Sequence, residues 1–290
     1  MVIVKLFGGL GNQLFQYAFG QYMAKVLNVI VKYDLQTGLS MRNFTTREFE
    51  LMNFDFDINV ATIDEINGLK FLSSGFFSRL QRKLIQQFPV FSKNYFVEDI
   101  SHKLLTDNEL KDNCYYDGYW QSFHYLDINK DVLQSQICLK KFSIGNEELV
   151  DNINLKNSIS LHVRRGDYIS IKKNRDIFHI CNLDYYKAAI DIIEQNVSDP
   201  QYYIFSDDIE WAKQNFIGSK FIFVEGNIPH IDMYLMSNCK NNIIANSTFS
   251  WWGAWLNNNP NKVIIAPQRW YHGAMNDASK NLIPEKWIRI

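Results

Sequence analysis

A chain of 290 residues is long enough for one large domain or two smaller ones. Apolar residues make up 47% and aromatic residues 15%, enough for a packed core, which excludes a disordered chain. The formal net charge of −1 offers no global basic field to nucleic acid or to an anionic membrane, so any positive site has to be local.

The four cysteines, at 114, 138, 181 and 239, are scattered with no CxxC pair. Neither a zinc site nor a disulfide framework is expected, and a reducing compartment fits. The opening MVIVKLFGGLGNQ has no cationic stretch before a long apolar run, and no apolar run nears membrane-spanning length. The expectation is a soluble, cytoplasmic protein with at most peripheral membrane contact. The sequons at Asn43, Asn196 and Asn246 then arise by chance.

The chain opens as a βαβ unit. VIVKLF (2–7) reads as a strand, GGLGNQ (8–13) as a loop, LFQYAFGQYMAKVL (14–27) as a helix and VIVKYD (29–34) as a second strand. Residues 35–150 are less regular. SSGFFS (73–78) is loop-like, and GYWQSF (118–123) reads as a strand or turn near a junction. A domain boundary is expected near 150, separating domains 1–150 and 151–290.

The second half alternates. ISLHV (159–163), YYIFS (202–206), FIFVE (221–225), NIIAN (242–246) and KVIIA (262–266) are short continuous apolar runs. Amphipathic patterns such as LDYYKAAIDIIEQN (183–196) and IEWAKQNF (209–216) lie between them. This predicts an α/β domain with a parallel sheet covered on both faces. Such sheets bind ligands at the carboxyl ends of their strands. Those ends carry the unusual residues: Arg164, Arg165, Gly166 and Asp167 after the first run, Asp207 and Asp208 after the second, and Ser247, Thr248 and Ser250 after NIIAN.

Each cluster also has a plain reading. Adjacent arginines often sit in structural ion pairs, and Asp167 can simply pair with Arg164. Against that, arginine suits bidentate phosphate recognition. Asp207 or Asp208 can cap the following helix, and Ser247 or Thr248 can cap FSWWGAWL, although a helix start is also an anion site. Trp251, Trp252 and Trp255 fit core packing better than a sugar platform. His162, inside a strand, fits a satisfied core histidine, and glycines 8, 9 and 11 fit a tight turn.

Taken together, GGLGNQLFQYAFG, HVRRGDY, FSDD and NSTFSWWGAWL resemble the family-11 glycosyltransferases, the α-1,2-fucosyltransferases, from residue 2 to about 256. FELMNF (49–54) is a weaker family-like segment, and HVRR also resembles the arginine motif of α-1,6- and protein-O-fucosyltransferases. Animal members carry a membrane anchor ahead of GGLGNQ, and this chain starts at the strand, which favours the bacterial type.

The resemblance implies a GT-B-like fold of two facing Rossmann-like domains, the first on the acceptor side and the second binding GDP-fucose. It implies inverting transfer of L-fucose to the 2-hydroxyl of a terminal galactose, without cofactor or metal. The acceptor would be a milk-type oligosaccharide or a lipid-linked O-antigen glycan. Arg164 would hold the diphosphate, assisted or braced by Arg165. His162 and one of Asp207 and Asp208, with Asp208 favoured, would contact guanine. Ser247, Thr248 and Ser250, in the segment starting at Asn246, would donate to phosphate oxygens. Asn12 would contact donor phosphate or fucose, with Gly9 and Gly11 permitting close backbone approach. Inversion calls for a base, and Asp167 is a nearby carboxylate with a structural role equally open to it. The only Asp-x-Asp, Asp55 and Asp57, is far in sequence from the arginines and is read as no metal site.

Two other functions are compatible with parts of the chain. Gly9-x-Gly11 after a strand, with Asp34 ending the next strand, resembles a dinucleotide fingerprint, but Leu14 stands where the third glycine belongs. A non-catalytic nucleotide- or phosphosugar-binding protein would present the same rim.

Overall fold

The computed structural model describes residues 1–38, 48–71, 92–99, 103–137 and 147–290. The chain divides into two compact units, Met1–Cys138 and Leu139–Ile290. The boundary expected near 150 falls within helix Glu147–Leu155. That helix goes with the second unit because its buried Ile153 packs with Tyr203, Phe205 and Leu235. Both units are α/β with parallel sheets.

In the first unit, β1 (Val2–Lys5), β2 (Val31–Asp34), β3 (Tyr95–Val97) and β4 (Tyr115–Asp117) form one sheet in the order β2-β1-β4-β3. All its pairings are parallel. Val2, Ile3 and Val4 are fully buried, as a strand covered on both faces requires. Helix Leu10–Leu27 begins four residues earlier than its apolar pattern suggests. Gly8, in the left-handed region at φ 80°, makes the turn by itself, so Gly11, Asn12 and Gln13 lie inside the helix. The strand Tyr115–Asp117 has no counterpart among the expected elements, and GYWQSF after it is a loop rather than a strand. The SSGFFS segment and Asn43 lie outside the described residues.

In the second unit, β5 (Asn157–Val163), β6 (Pro200–Ser206), β7 (Phe221–Phe223), β8 (Asn241–Ile243), β9 (Ile264–Ala266) and β10 (Ile288–Arg289) pair in the order β10-β9-β8-β5-β6-β7. Every pairing is again parallel. The chain winds outward from β5 through β6 to β7, then crosses back to β8 on the other side and winds outward again. This is the doubly wound order of a Rossmann fold, with its switch point between β5 and β8. Helices Leu183–Asn196 and Ile209–Asn215 cover one face, and Pro229–Asn238 lies against the other.

Trp251 and Trp252 are fully buried and Trp255 nearly so, and the Trp251 indole N–H donates to Leu282 O at 2.8 Å, so the tryptophans are core. Asn246 is equally buried and cannot be a glycosylation site. Among the described residues, no helix is long and apolar enough to cross a membrane. Cys114, Cys181 and Cys239 are buried free thiols.

Candidate active site

The β5–β6 register builds the arginine cluster. Val163 pairs with Ser206, so the residues that follow each strand emerge side by side: Arg164 and Arg165 from one, Asp207 and Asp208 from the other. The Arg164 guanidinium is held at both ends. Its Nη2 donates to Asp167 Oδ1 at 2.6 Å, and its Nη1 lies 3.1 Å from Asp207 Oδ2. Its Nε is buried and has no hydrogen-bond acceptor among the described residues. The Tyr168 ring lies beneath the group, 5.3 Å from Cζ.

Arg165 is turned the other way. Its Nε donates to Asp208 Oδ2 at 3.1 Å, and its guanidinium stacks over Trp211 at 4.2 Å. Asp207 Oδ1 accepts the backbone N–H groups of Arg165 and Gly166 at 2.8 and 3.1 Å. Asp208 Oδ1 caps helix Ile209–Asn215 by accepting the Trp211 N–H at 3.3 Å. Ion pairing and capping therefore occupy both aspartates. Two guanidinium groups stand against three carboxylates, so the cluster is not a cationic well. An incoming anion has to take over N–H groups that carboxylates now hold.

His162 is 5% exposed, and burial holds its imidazole neutral, well below its ordinary pKa. Asp207 opposes that shift and Arg164 adds to it. The carbonyl of His162 accepts from the Tyr186 hydroxyl at 3.2 Å, but its Nδ1 is buried with no partner among the described residues. The Phe249 ring lies 5.6 Å from the imidazole.

The segment after β8 is locked from behind. The Asn246 side-chain amide donates to the carbonyls of His179 and Trp270, and its own backbone carbonyl accepts the Tyr168 hydroxyl at 3.0 Å. Ser247 caps helix Thr248–Leu256 by accepting the Phe249 N–H at 3.3 Å, and Ser250 Oγ donates to Ser247 O at 3.3 Å. Asn246, Ser247 and Ser250 are buried and spend hydrogen bonds on the loop itself, whereas Thr248 is half-buried.

One rim residue escaped the sequence reading. Asp232 lies in the first turn of helix Pro229–Asn238, beyond the carboxyl end of β7. Asn227 Nδ2 donates to it at 3.0 Å, and among the described residues no cation pairs with it. Burial pushes its carboxyl up to about 6. Phe249 packs against this helix's cluster as well as near His162. The usable signal was an acidic residue two positions after His230 in the first turn of an otherwise apolar helix.

In the first unit, Asn12 Oδ1 accepts from Gln121 Nε2 at 3.0 Å. Gln13 Nε2 donates to the carbonyls of Gly8 and Glu48, both at 2.9 Å, which fixes the glycine turn. Asp34 is fully buried and accepts from the Tyr115 hydroxyl at 2.7 Å and from the N–H groups of Gln36 and Thr37 at 2.8 and 3.0 Å. A carboxylate so occupied cannot read a ribose, which removes the physical basis of the dinucleotide reading. Asp55 and Asp57 are exposed, and no group of three or more metal-binding side chains occurs among the described residues.

Comparison with known proteins follows the same lines. The family described as "Glycosyl transferase family 11" matches residues 1–290. An α-1,2-colitosyltransferase of Escherichia coli is 35% identical, covering 100% of this chain and 99% of that protein. The O-antigen biosynthesis glycosyltransferase WbnK of Escherichia coli is 32% identical over 98% of this chain and 99% of its own length. Galactoside α-(1,2)-fucosyltransferase 2 of Rattus norvegicus is 29% identical over 34% of this chain and 29% of its own. Among solved structures, the fucosyltransferase NodZ from Bradyrhizobium gives a TM-score of 0.48 at 15% identity, covering 87% of this chain and 91% of that one. A match to the whole chain, with full-length relatives above 30% identity, places the protein among the glycosyltransferases, and it belongs to glycosyl transferase family 11.

Proposed function

We propose that the protein is an inverting, metal-independent galactoside 2-α-L-fucosyltransferase. It moves L-fucose from GDP-fucose to the 2-hydroxyl of a terminal galactose in an oligosaccharide or lipid-linked glycan. The observation that carries this reading is Arg164. It sits where β5 ends at the switch point, is aimed by Asp167 and Asp207, and has a buried Nε with no acceptor among the described residues.

In this reaction the bond between fucose C1 and the phosphate oxygen breaks as the acceptor hydroxyl oxygen attacks C1 from the opposite face, and the hydroxyl proton is released to solvent. Negative charge grows on the departing GDP. Once the donor is bound, a guanidinium already in contact with the diphosphate needs no further reorganisation to meet that charge. The diphosphate takes Arg164 N–H groups that Asp167 and Asp207 hold in its absence. Asp167 Oδ1 is bound by Arg164 and Oδ2 by Asn174 at 3.4 Å, an arrangement that fits positioning of Arg164 better than taking the acceptor's proton. Arg165, stacked on Trp211, braces the loop.

His162 contacts guanine through Nδ1. Asp207 and Asp208 have their oxygens committed, so the carboxylate reading the guanine N1–H and N2–H donors is assigned to Asp232 rather than Asp208. Thr248 and the start of helix Thr248–Leu256, with Ser247 and Ser250 shaping it, hold the phosphates. The donor roles of Asn12 and Gly11 rest on the family motif.

One observation favours a second reading of the donor. The 35%-identical relative bears the name of a colitosyltransferase, and colitose is fucose lacking its 3-hydroxyl. GDP release with GDP-fucose and with GDP-colitose, across a panel of galactosides with linkages read by NMR, separates the two. A preference for GDP-colitose reassigns the donor. GDP binding with no release from either donor leaves a non-catalytic nucleotide-binding protein and overturns the proposal.

A further inference from the structure

We propose that Arg269, His179 and His272 form a second anion site, for a phosphate monoester carrying an apolar group, on the far side of the Phe178–Tyr271 pair from Arg164. The site stands whether or not the transfer reading holds.

Two short segments of the second unit build it. Phe178 pairs with Tyr271 in an antiparallel bridge. The His179 N–H donates to Trp270 O at 3.2 Å, and the His272 N–H donates to Ile177 O at 2.9 Å. The Asn246 amide ties both segments to the loop after β8 through the carbonyls of His179 and Trp270. Side chains alternate along paired segments, so sequence neighbours point to opposite faces. Phe178 faces the Arg164 side, stacked on Tyr168 at 4.4 Å and 7°. His179 and His272 share the other face, with their rings 5.7 Å apart.

A lone exposed arginine is ordinary surface, but Arg269 stands with this pair. Burial, and then the charges of His272 and Arg269, hold the His179 imidazole below its ordinary pKa. All three effects act in one direction, so no carboxylate offsets them. Among the described residues, neither imidazole nor Arg269 is in an ion pair. The carboxylates close in sequence, Asp176 and Asp277, are taken by Lys172 at 2.7 Å and Lys280 at 2.9 Å. Asn276 adds an oriented donor. Its Oδ1 accepts the Trp270 and Tyr271 N–H groups at 2.7 and 3.3 Å, which fixes the amide. Its own N–H groups have no acceptor among the described residues.

Arg269 borders two cavities. One, of about 320 Å³, is lined by Arg269, His272 and Asn276 among others, and would take the anion. The other, of about 300 Å³, lies among His179, Tyr185, Ala188, Pro267 and Ile290. There Tyr185 directs its hydroxyl to Ile244 O at 2.6 Å and Cys181 its thiol to Asn246 Oδ1 at 3.6 Å, so the wall presents carbon. Directed donors at one end and carbon at the other fit an amphiphilic anion. An arginine, two imidazoles and an amide match the three terminal oxygens of a phosphate monoester. That chemistry occurs in a soluble phosphate ester and in a lipid headgroup.

The test is calorimetric titration with inorganic phosphate and with hexyl phosphate. Wild type should bind hexyl phosphate about tenfold or more tightly than inorganic phosphate, because methylenes enter the apolar cavity. Arg269→Ala should weaken hexyl phosphate about tenfold or more and His272→Gln several-fold, both with unchanged Tm because both side chains are exposed. Arg164→Ala should keep the site, with affinity within about twofold of wild type, since the two arginines face opposite ways. Sedimentation with phosphatidylcholine vesicles containing phosphatidic acid separates the sources. Vesicle binding that Arg269→Ala loses assigns the site to a headgroup, and no vesicle binding beside retained hexyl phosphate binding assigns it to a soluble ester. Unchanged affinity in Arg269→Ala would overturn the proposal, as would loss of all phosphate binding in Arg164→Ala or equal affinity for the two phosphates.

Discussion

Arg164 has one partner visible in the sequence and one hidden from it. Asp167 is three positions away, but Asp207 reaches the loop only because β5 and β6 pair in one register. Both readings of the arginine pair prove compatible, since the ion pairs aim the group that the diphosphate would use. A lysine cannot reproduce that geometry, because one ammonium cannot meet two carboxylates and a phosphate with planar, directed N–H groups. Arg164→Lys is expected to lower kcat/KM by about two to three powers of ten, as losing one or two charged hydrogen bonds worth roughly 1.5–3 kcal/mol each implies. A lysine variant near wild-type rate would remove Arg164 from the chemistry. Asp232, proposed above in place of Asp208 as the carboxylate for guanine, draws no attention in the sequence, because an aspartate pair after a strand is conspicuous and a lone aspartate in an apolar helix is not. Asp232→Asn should raise donor KM several-fold with little change in kcat, since guanine is remote from the reacting centre. Asp208→Asn should affect donor KM less. The reverse ranking from initial-rate kinetics would return the role to Asp208.

Elements were legible where their physics is one-dimensional. Five continuous apolar runs became β5 to β9, because strands buried on both faces need no alternation. Helix Leu183–Asn196 was readable from its stripe, and its start is capped by Asn182, whose side chain accepts the Tyr185 N–H. Helix Pro229–Asn238 was not, because it buries His230, Ile231, Met233, Leu235 and Met236 around most of its circumference and so shows no stripe. Strand Tyr115–Asp117 was missed because three residues carry no period. The arginine loop itself turns on Gly166, where a Cβ would meet Asp207 Oδ2 at 2.8 Å and Cγ at 3.1 Å. Asp207 cannot yield cheaply, since it also holds two backbone N–H groups and Arg164. Gly166→Ala is therefore expected to cost about tenfold or more in kcat/KM while shifting Tm by no more than roughly 2–4 °C, because the loop lies outside the core. A large Tm loss with normal kcat/KM would show that the glycine serves stability alone.

For the whole molecule, two expectations concern conditions rather than residues. Transfer should survive excess EDTA after dialysis against chelator, because Arg164 supplies the positive charge a bound ion would otherwise bring to the leaving diphosphate. Activity lost to chelator and restored by Mn²⁺ would overturn this and make Asp55 and Asp57 the first residues to replace. The other expectation is a pH signature of the second unit, where two groups act in opposite directions. His162 is held neutral with a depressed pKa, so it costs stability as pH falls below the ordinary histidine value. Asp232, raised to about 6, binds its proton more tightly folded than unfolded. Its contribution is fully present below the unfolded pKa of about 4 and is lost as pH rises toward 6, with no further change above. The two slopes offset each other between about pH 4 and 6, so the wild-type curve hides both. Subtracting wild-type stability from that of Asp232→Asn isolates the carboxylate. The difference should grow in favour of the variant from about pH 4 to 6, by on the order of 1–3 kcal/mol, then stay level. A difference independent of pH would mean that Asp232 titrates normally. GDP adds a second discrimination at pH 7. A guanine that donates to the carboxylate relieves its burial cost only in the wild type, so GDP should raise wild-type Tm more than that of Asp232→Asn. Equal shifts in the two proteins would leave Asp232 a buried carboxylate with no part in reading the donor.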